Sequence, residues 1–145
     1  MITVNPYLVF NGECEAAFML YQSVFGGDFT YIGKFGEMPA DENSPKLSDD
    51  DANRVMHVCL PIGNTMLMGS DSNSASGDVK FGGNFSVSIN VESRSEADRI
   101  FNGLSEGGNP FMPMGDTFWG AYFGMFTDKF GVNWMVNFDE SPIKE

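Results

Sequence analysis

Histidine is almost missing from this chain: His57 is the only one in 145 residues. That excludes a histidine-rich zinc site, and any Ser-His-Asp or Cys-His arrangement has to be built around this one ring. Cysteine is nearly as scarce. Cys14 and Cys59 are the only two, and neither stands in a paired motif of the kind that binds zinc or exchanges disulfides, so both read as buried free thiols. Positive charge is in deficit as well: eight Lys and Arg face twenty Asp and Glu, a formal net charge of −12. A surface of that sign repels phosphate backbones and anionic lipid heads, which argues against nucleic acid and membranes as partners. No run approaches the roughly 20 apolar residues that span a bilayer, and the opening MITVNPYLVF lacks a basic start followed by a long apolar stretch. The expectation is a soluble, cytoplasmic, acidic protein.

What is present is enough to fold. Hydrophobic residues make up 42% and charged residues 19%, which offsets the conformational entropy lost on ordering. The length fits one compact domain or two small fused modules.

The sequence repeats itself. Glu15-Ala16 leads eleven residues on to Gly26-Gly27, and Glu96-Ala97 leads eleven on to Gly107-Gly108, an offset of 81 both times. Between these marks Ala17, Leu20, Tyr21 and Val24, and again Ala97, Ile100, Phe101 and Leu104, recur at three- and four-residue steps, the stripe of an amphipathic helix. Asn11 or Gly12 opens the first helix, Ser93 with Glu96 reads as a capping box for the second, and the double glycines read as left-handed caps at both ends. A strand precedes each helix, Asn5 to Phe10 and Phe85 to Val91. In the latter Val87, Ile89 and Val91 alternate with Ser86, Ser88 and Asn90, so the apolar face takes the helix. Further strands are predicted over 28–35, 54–60 and 65–70, then over 110–118, 121–128 and 133–138. A second offset, of 68, relates Gly63…Asp71 to Gly131…Asp139. The chain therefore reads as two copies of one β-α-β-β-β module, over 1–75 and 84–145, forming together one structural domain. The acidic stretch of about 37–53 reads as a solvated loop in which Asp49, Asp50 and Asp51 lack the glycine and spacing of a calcium loop. A second loop, SDSNSASGDVKFGG, joins the modules.

The opening NPYLVFNGECEAAFMLYQSVFGG, the central VMHVCLPIGNTMLMGSD and the closing TFWGAYFGMFTDKFGVNWMVNF together resemble the vicinal oxygen chelate superfamily, specifically its PhnB-like branch. The resemblance covers nearly the whole chain. It implies an α+β fold of two tandem β-α-β-β-β modules whose curved mixed sheets enclose a cavity, as in glyoxalase and bleomycin-resistance proteins. It also implies a homodimer, an assembly common among soluble oligomers. One such scaffold carries unrelated chemistries, so fold does not settle function.

Metal-using members place ligands on the first and last strand of each module, positions that map here onto Asn5, Leu67, Ser86 and Met135. The mapping rests on the offset of 81 for Asn5 and Ser86, and on four-residue steps from Gly63 and Gly131 for Leu67 and Met135. None is a usual ligand for a catalytic divalent ion, although a thioether can bind soft copper. No metal and no cofactor is expected.

In the closing stretch Trp134, Val136 and Phe138 face one way as core, and Asn133, Met135 and Asn137 the other. Trp119, beside Gly120, is a candidate cavity wall, and Asp128-Lys129-Phe130-Gly131 reads as a hairpin turn in which Asp128 is structural. Two functions stay open. One is a metal-free cavity lined by Tyr7, His57, Trp119 and Met135 that binds a small, partly aromatic or apolar molecule. The other is an enzyme (lyase, isomerase or dioxygenase) that uses His57 as acid or base, or an unrecognised metal site. The resemblance also brings the name of a methyltransferase acting on demethylated ubiquinone. A donor such as S-adenosylmethionine usually binds a glycine-rich loop between a strand and a helix of a parallel sheet, and neither GGDFTYIG nor SEGGNPF stands there. A phosphonate role lacks the Arg or Lys cluster that would take a dianion.

Overall fold

The computed structural model describes residues 1–39 and 46–140. It divides into two units, Met1–Lys80 and the chain from Phe81 onward. Each unit is a four-stranded mixed sheet with a twelve-residue helix against it. The chain is an α+β protein of two tandem modules.

In the first unit the order is β1 (Tyr7–Phe10), α1 (Cys14–Phe25), β2 (Tyr31–Lys34), a 3₁₀ turn (Phe35–Glu37), α2 (Asp49–Asn53), β3 (Val55–Ile62) and β4 (Thr65–Asp71). The sheet runs β1-β4-β3-β2, with β1 parallel to β4 and the other pairs antiparallel. The parallel pair needs a crossover, and α1 supplies part of it. Cys14, Ala17, Phe18, Tyr21 and Val24 are buried along one helix face, against Leu8, Phe10, Val58, Leu60 and Leu67 from the sheet. Phe18 is the large contributor that the three-and-four spacing missed. It meets Phe10 and Tyr21 edge-on, with ring centroids 6.4 and 5.3 Å apart. A Cβ at Gly69 would sit 2.7 Å from the Phe18 ring, so this strand position takes only glycine.

Neither Asn11 nor Gly12 caps α1 with a side chain. The orphaned amides at its start are taken by Asp71 at the end of β4, whose Oδ1 accepts from the backbone N–H of Gly12 at 2.8 Å and of Cys14 at 3.0 Å. Its Oδ2 accepts from Val55 N–H at 2.9 Å, so one buried carboxylate ties α1, β3 and β4 together.

The acidic stretch is not all loop. Asp49–Asn53 form the short helix α2, because Ser48 accepts from the N–H of Asp51 as an N-cap and three aspartates fall at the end where the helix dipole favours negative charge. Residues 40–45 lie outside the described residues.

The second unit runs β5 (Val87–Asn90), α3 (Arg94–Ser105), β6 (Asn109–Asp116), β7 (Ala121–Thr127) and β8 (Asn133–Asp139), in the sheet order β5-β8-β7-β6, with β5 parallel to β8. Ala97, Ile100, Phe101 and Leu104 are buried, as their spacing predicts, against Phe126, Trp134 and Val136. The capping box is half formed: Ser93 accepts from Glu96 N–H, while the Glu96 carboxylate pairs with Arg99. Gly26, Gly27 and Gly107 have positive φ just beyond the helices, and Gly108 does not. The predicted β7–β8 turn is present. Asp128 accepts from the N–H of Phe130 and of Val132, and Gly131 takes a φ of 94°.

The internal repeat is offset by one residue in two places. Buried Ala17 and Ala97 correspond, an offset of 80, whereas Ala16 is exposed. In the last strands Tyr7 stands opposite Met68 and the matching Ser88 opposite Met135, so Met68 and not Leu67 corresponds to Met135.

Candidate functional site

Strand alternation divides each sheet into a helix-covered face and a face that the unit's own helix leaves open. In the first unit the open face carries Tyr7 and Val9 from β1, Met66 and Met68 from β4, His57 and Cys59 from β3, and Tyr31 from β2. Its centre is a cluster of three rings, with Tyr7 stacked on His57 and Tyr31 tilted against it. His57 lies against Tyr7 with centroids 5.7 Å apart and planes 23° from parallel, and against Tyr31 at 5.9 Å and 34°. Tyr7 Oη is 3.3 Å from His57 Nδ1, within hydrogen-bond distance, and the imidazole tautomer decides which of the two donates. Gly33 pairs with His57 across the sheet, and a Cβ there would come within 2.4 Å of Tyr31 Oη, so the missing side chain makes room for the tyrosine. Tyr7 and Tyr31 remain 46% and 48% exposed. Rings clustered on one another yet half open to solvent form a platform for another flat, apolar group.

The other expected positions separate. Asn5 spends its amide oxygen on the backbone N–H of Met66, at 2.9 Å, which pins the start of β4. Leu67 is 2% exposed and opposite Leu60 on the helix-covered face, which corrects its placement as a cavity-facing residue. Met68 holds the open-face position instead. In the second unit Ser86 and Met135 have the parity of the open face, with Ser88, Asn90, Asn133 and Asn137. Trp119 is 57% exposed in the β6–β7 turn and meets Phe118 and Phe123 edge-on, at 5.0 and 6.1 Å. Phe123 is on the open face of its own sheet, opposite Asn137.

Sequence reasoning missed Tyr31 and the pair Cys59 and Met66. Cys59 was accessible to it, two residues after His57 on one strand and hence on one face. Tyr31 was not, because its position over His57 depends on the β2–β3 register, which shifts at Gly33/Lys34.

Charge is used structurally. Each of the three arginines meets a carboxylate: Arg54 with Asp50, Arg94 with Asp116 and Glu140, and Arg99 with Glu96. Arg94 also lies over the Tyr122 ring at 4.0 Å, while the hydrogen bond to Asp98 raises the phenol above its ordinary pKa. Burial, with Asp71 and Glu15 nearby, pushes the Cys14 thiol far above the usual range and makes it inert. A polar pocket of about 360 Å³, lined by Asp50, Asp51, Arg54, Asn73, Ser74 and Asp78, is separate from the ring stack. Among the described residues no three His, Cys, Asp or Glu side chains gather closely enough to hold a metal ion. Among them no helix is long and apolar enough to cross a membrane.

Two such mixed sheets, each with one twelve-residue helix against it, define the glyoxalase/bleomycin-resistance fold class. A glyoxalase/bleomycin resistance protein/dioxygenase family enzyme from Burkholderia phytofirmans shares it at TM-score 0.59 and 13% identity, over 94% of this chain and 99% of that one. The family model for 3-demethylubiquinone-9 3-methyltransferase matches residues 2–137, and the chain belongs to that family. Protein YjdN of Escherichia coli is 34% identical over 92% of this chain and 93% of its own. The crystal structure of protein PA1353 from Pseudomonas aeruginosa superposes at TM-score 0.84 with 43% identity, covering 96% and 98% of the two chains. A putative 3-demethylubiquinone-9 3-methyltransferase, PhnB protein, from Bacillus cereus follows at TM-score 0.75 and 26% identity, over 94% of this chain and 99% of that one.

Proposed function

We propose that this chain is a PhnB-like protein without the usual metal ligands that binds a small, partly aromatic or apolar molecule. The observation that carries the reading is the half-exposed Tyr7–His57–Tyr31 cluster on a sheet face that the unit's own helix does not cover. Apolar walls with few oriented polar groups suit recognition of such a ligand, and Tyr7 Oη with the His57 ring supplies those groups. The positions Asn5, Met68, Ser86 and Met135 offer an amide already engaged, two thioethers and a hydroxyl. Hard or borderline divalent ions want carboxylate or imidazole to offset their lost water, so the donor set does not fit them.

The methyltransferase activity in the family's name draws no support from the glycine pairs, which lie at the C-terminal ends of α1 and α3 and not between a strand and a helix's N-terminus. A second reading, His57 as acid or base in an enzyme, is favoured by the Tyr7 contact alone.

Thermal-shift screening with small planar aromatics tests the proposal, since a ligand that binds only the folded state stabilises it by mass action. Compounds that raise Tm by several degrees with the native chain and not with Tyr7→Ala or His57→Gln support it. Equal shifts in all three proteins overturn it. A symmetric homodimer is the assembly that accompanies this reading, so light scattering near twice the 15.9 kDa chain mass is expected, and the chain mass itself counts against it.

A further inference from the structure

The open face of the first unit also carries a cluster of soft donors that the ring stack does not use. Cys59 Sγ lies 3.6 Å from Met66 Sδ. Met68 stands directly opposite Cys59 in the β3–β4 register, and β-strand alternation puts its side chain on the same face as Met66. From this contact and the shared strand face we infer a binding site for one soft monovalent ion of the Cu(I) class, held by the Cys59 thiolate and the thioethers of Met66 and Met68. This goes beyond the small-molecule reading and does not depend on it.

The spacing suits a chelate. Two metal–sulfur bonds of about 2.3 Å at tetrahedral to trigonal angles hold their sulfurs about 3.8–4.0 Å apart, so the observed pair needs to open by only a few tenths of an ångström. Thiolate and thioether donors select Cu(I) over magnesium, calcium or manganese, which want oxygen. Zinc is disfavoured by the same chemistry, because one thiolate is all the charged ligation the cluster offers. Met66 is 38% exposed, so an ion can reach Cys59, itself 8% exposed, from solvent. The chain's net charge of −12 favours cations over anions at its surface. On binding, the Cys59 S–H bond breaks, the S–Cu bond forms, and the proton leaves to solvent. No change of oxidation state is involved. Cys14 is an internal control, being fully buried on α1 beside Asp71.

Anaerobic titration of the full chain with Cu(I), in competition with a chromophoric Cu(I) chelator, is expected to give one ion bound and one proton released per chain. Cys59→Ser should weaken binding about 100-fold or more, and Met66→Leu about tenfold. His57→Gln, which breaks the ring stack, should leave Cu(I) affinity unchanged, and that separates this inference from the proposed small-molecule function. If Cys59→Ser fails to fold, the volume-conserving double variant Met66→Leu/Met68→Leu replaces it and should lose at least tenfold. Retained wild-type affinity in a folded Cys59→Ser or in the double variant overturns the site, as does Zn(II) displacing Cu(I) at equal concentration.

Discussion

Asp128 and Trp134 are joined at 2.9 Å, the indole N–H donating to Oδ2 of a carboxylate whose Oδ1 already takes the backbone N–H of Phe130 at 2.8 Å and of Val132 at 3.0 Å. Both residues are almost fully buried. The carboxylate therefore holds the β7–β8 turn and orients the largest side chain of the second unit's core.

Asp128→Ala should accordingly cost about 3 kcal/mol or more, because a buried donor left unpaired costs roughly 1–3 kcal/mol, and the Val132 amide and the Trp134 indole are both buried, with the part-buried Phe130 amide released beside them. Asp128→Asn keeps the shape and one acceptor and should lose less. Chemical denaturation measures the cost. Near-UV circular dichroism reports the Trp134 environment, and an unchanged spectrum with unchanged stability would contradict the arrangement.

Asp51 gives a pH prediction. The Ser74 hydroxyl and amide, the Arg54 charge and the Ser48 hydroxyl hold its carboxyl below the usual carboxylate range. A carboxyl whose folded pKa is depressed adds stability above its unfolded pKa and loses it as pH falls through the folded value. Tm should thus fall more steeply below about pH 4 in the native protein than in Asp51→Asn, with the two curves converging in acid. Parallel curves from pH 7 to pH 3 would remove Asp51 from the account.

Elemental analysis after dialysis is expected to show no stoichiometric zinc, nickel, manganese or iron. On the proposed mapping the ligand positions hold amide, thioether and hydroxyl groups, and among the described residues no three His, Cys, Asp or Glu side chains come together to replace them. About one such ion per chain would defeat the reading, unless it lay in the acidic stretch.

Much of the fold was legible because its period signals are strong. Alternation in Val87–Val91 and Asn133–Phe138, and the three-and-four spacing of Ala97 to Leu104, each sort residues between two faces without reference to any other segment. Tyr7 and His57 share one face of the first sheet, but their expected place in a site came from the scarcity of histidine and the family resemblance, not from alternation. What failed was counting across turns. Gly63 is the first residue of the two-residue β3–β4 connection, whereas Gly131 is the fourth of the five between β7 and β8. Two glycines with the same backbone freedom thus stand at different places in their turns, and measuring four residues from each put Leu67 on the wrong face. Asp71 as the partner of the α1 amides was equally hidden, since nothing local in sequence links residue 71 to residues 12 and 14.

That register carries the last prediction. If Leu67 packs under α1 and Met68 faces the open side, truncation should separate neighbouring residues sharply. Leu67→Ala removes a fully buried side chain and leaves a cavity, a change that typically costs about 2–5 kcal/mol. Met68 is half-buried, so Met68→Ala should cost about 1 kcal/mol or less, and Met68→Glu should fold because its carboxylate can reach water. Leu67→Glu should not fold, since it would bury an uncompensated charge opposite Leu60 on the helix-covered face. Denaturant midpoints with unchanged m-values decide the matter. Equal losses at both positions, or a stable Leu67→Glu, would mean that β4 is displaced by one residue, which turns every side chain on the strand to the opposite face and returns Leu67 to the open side.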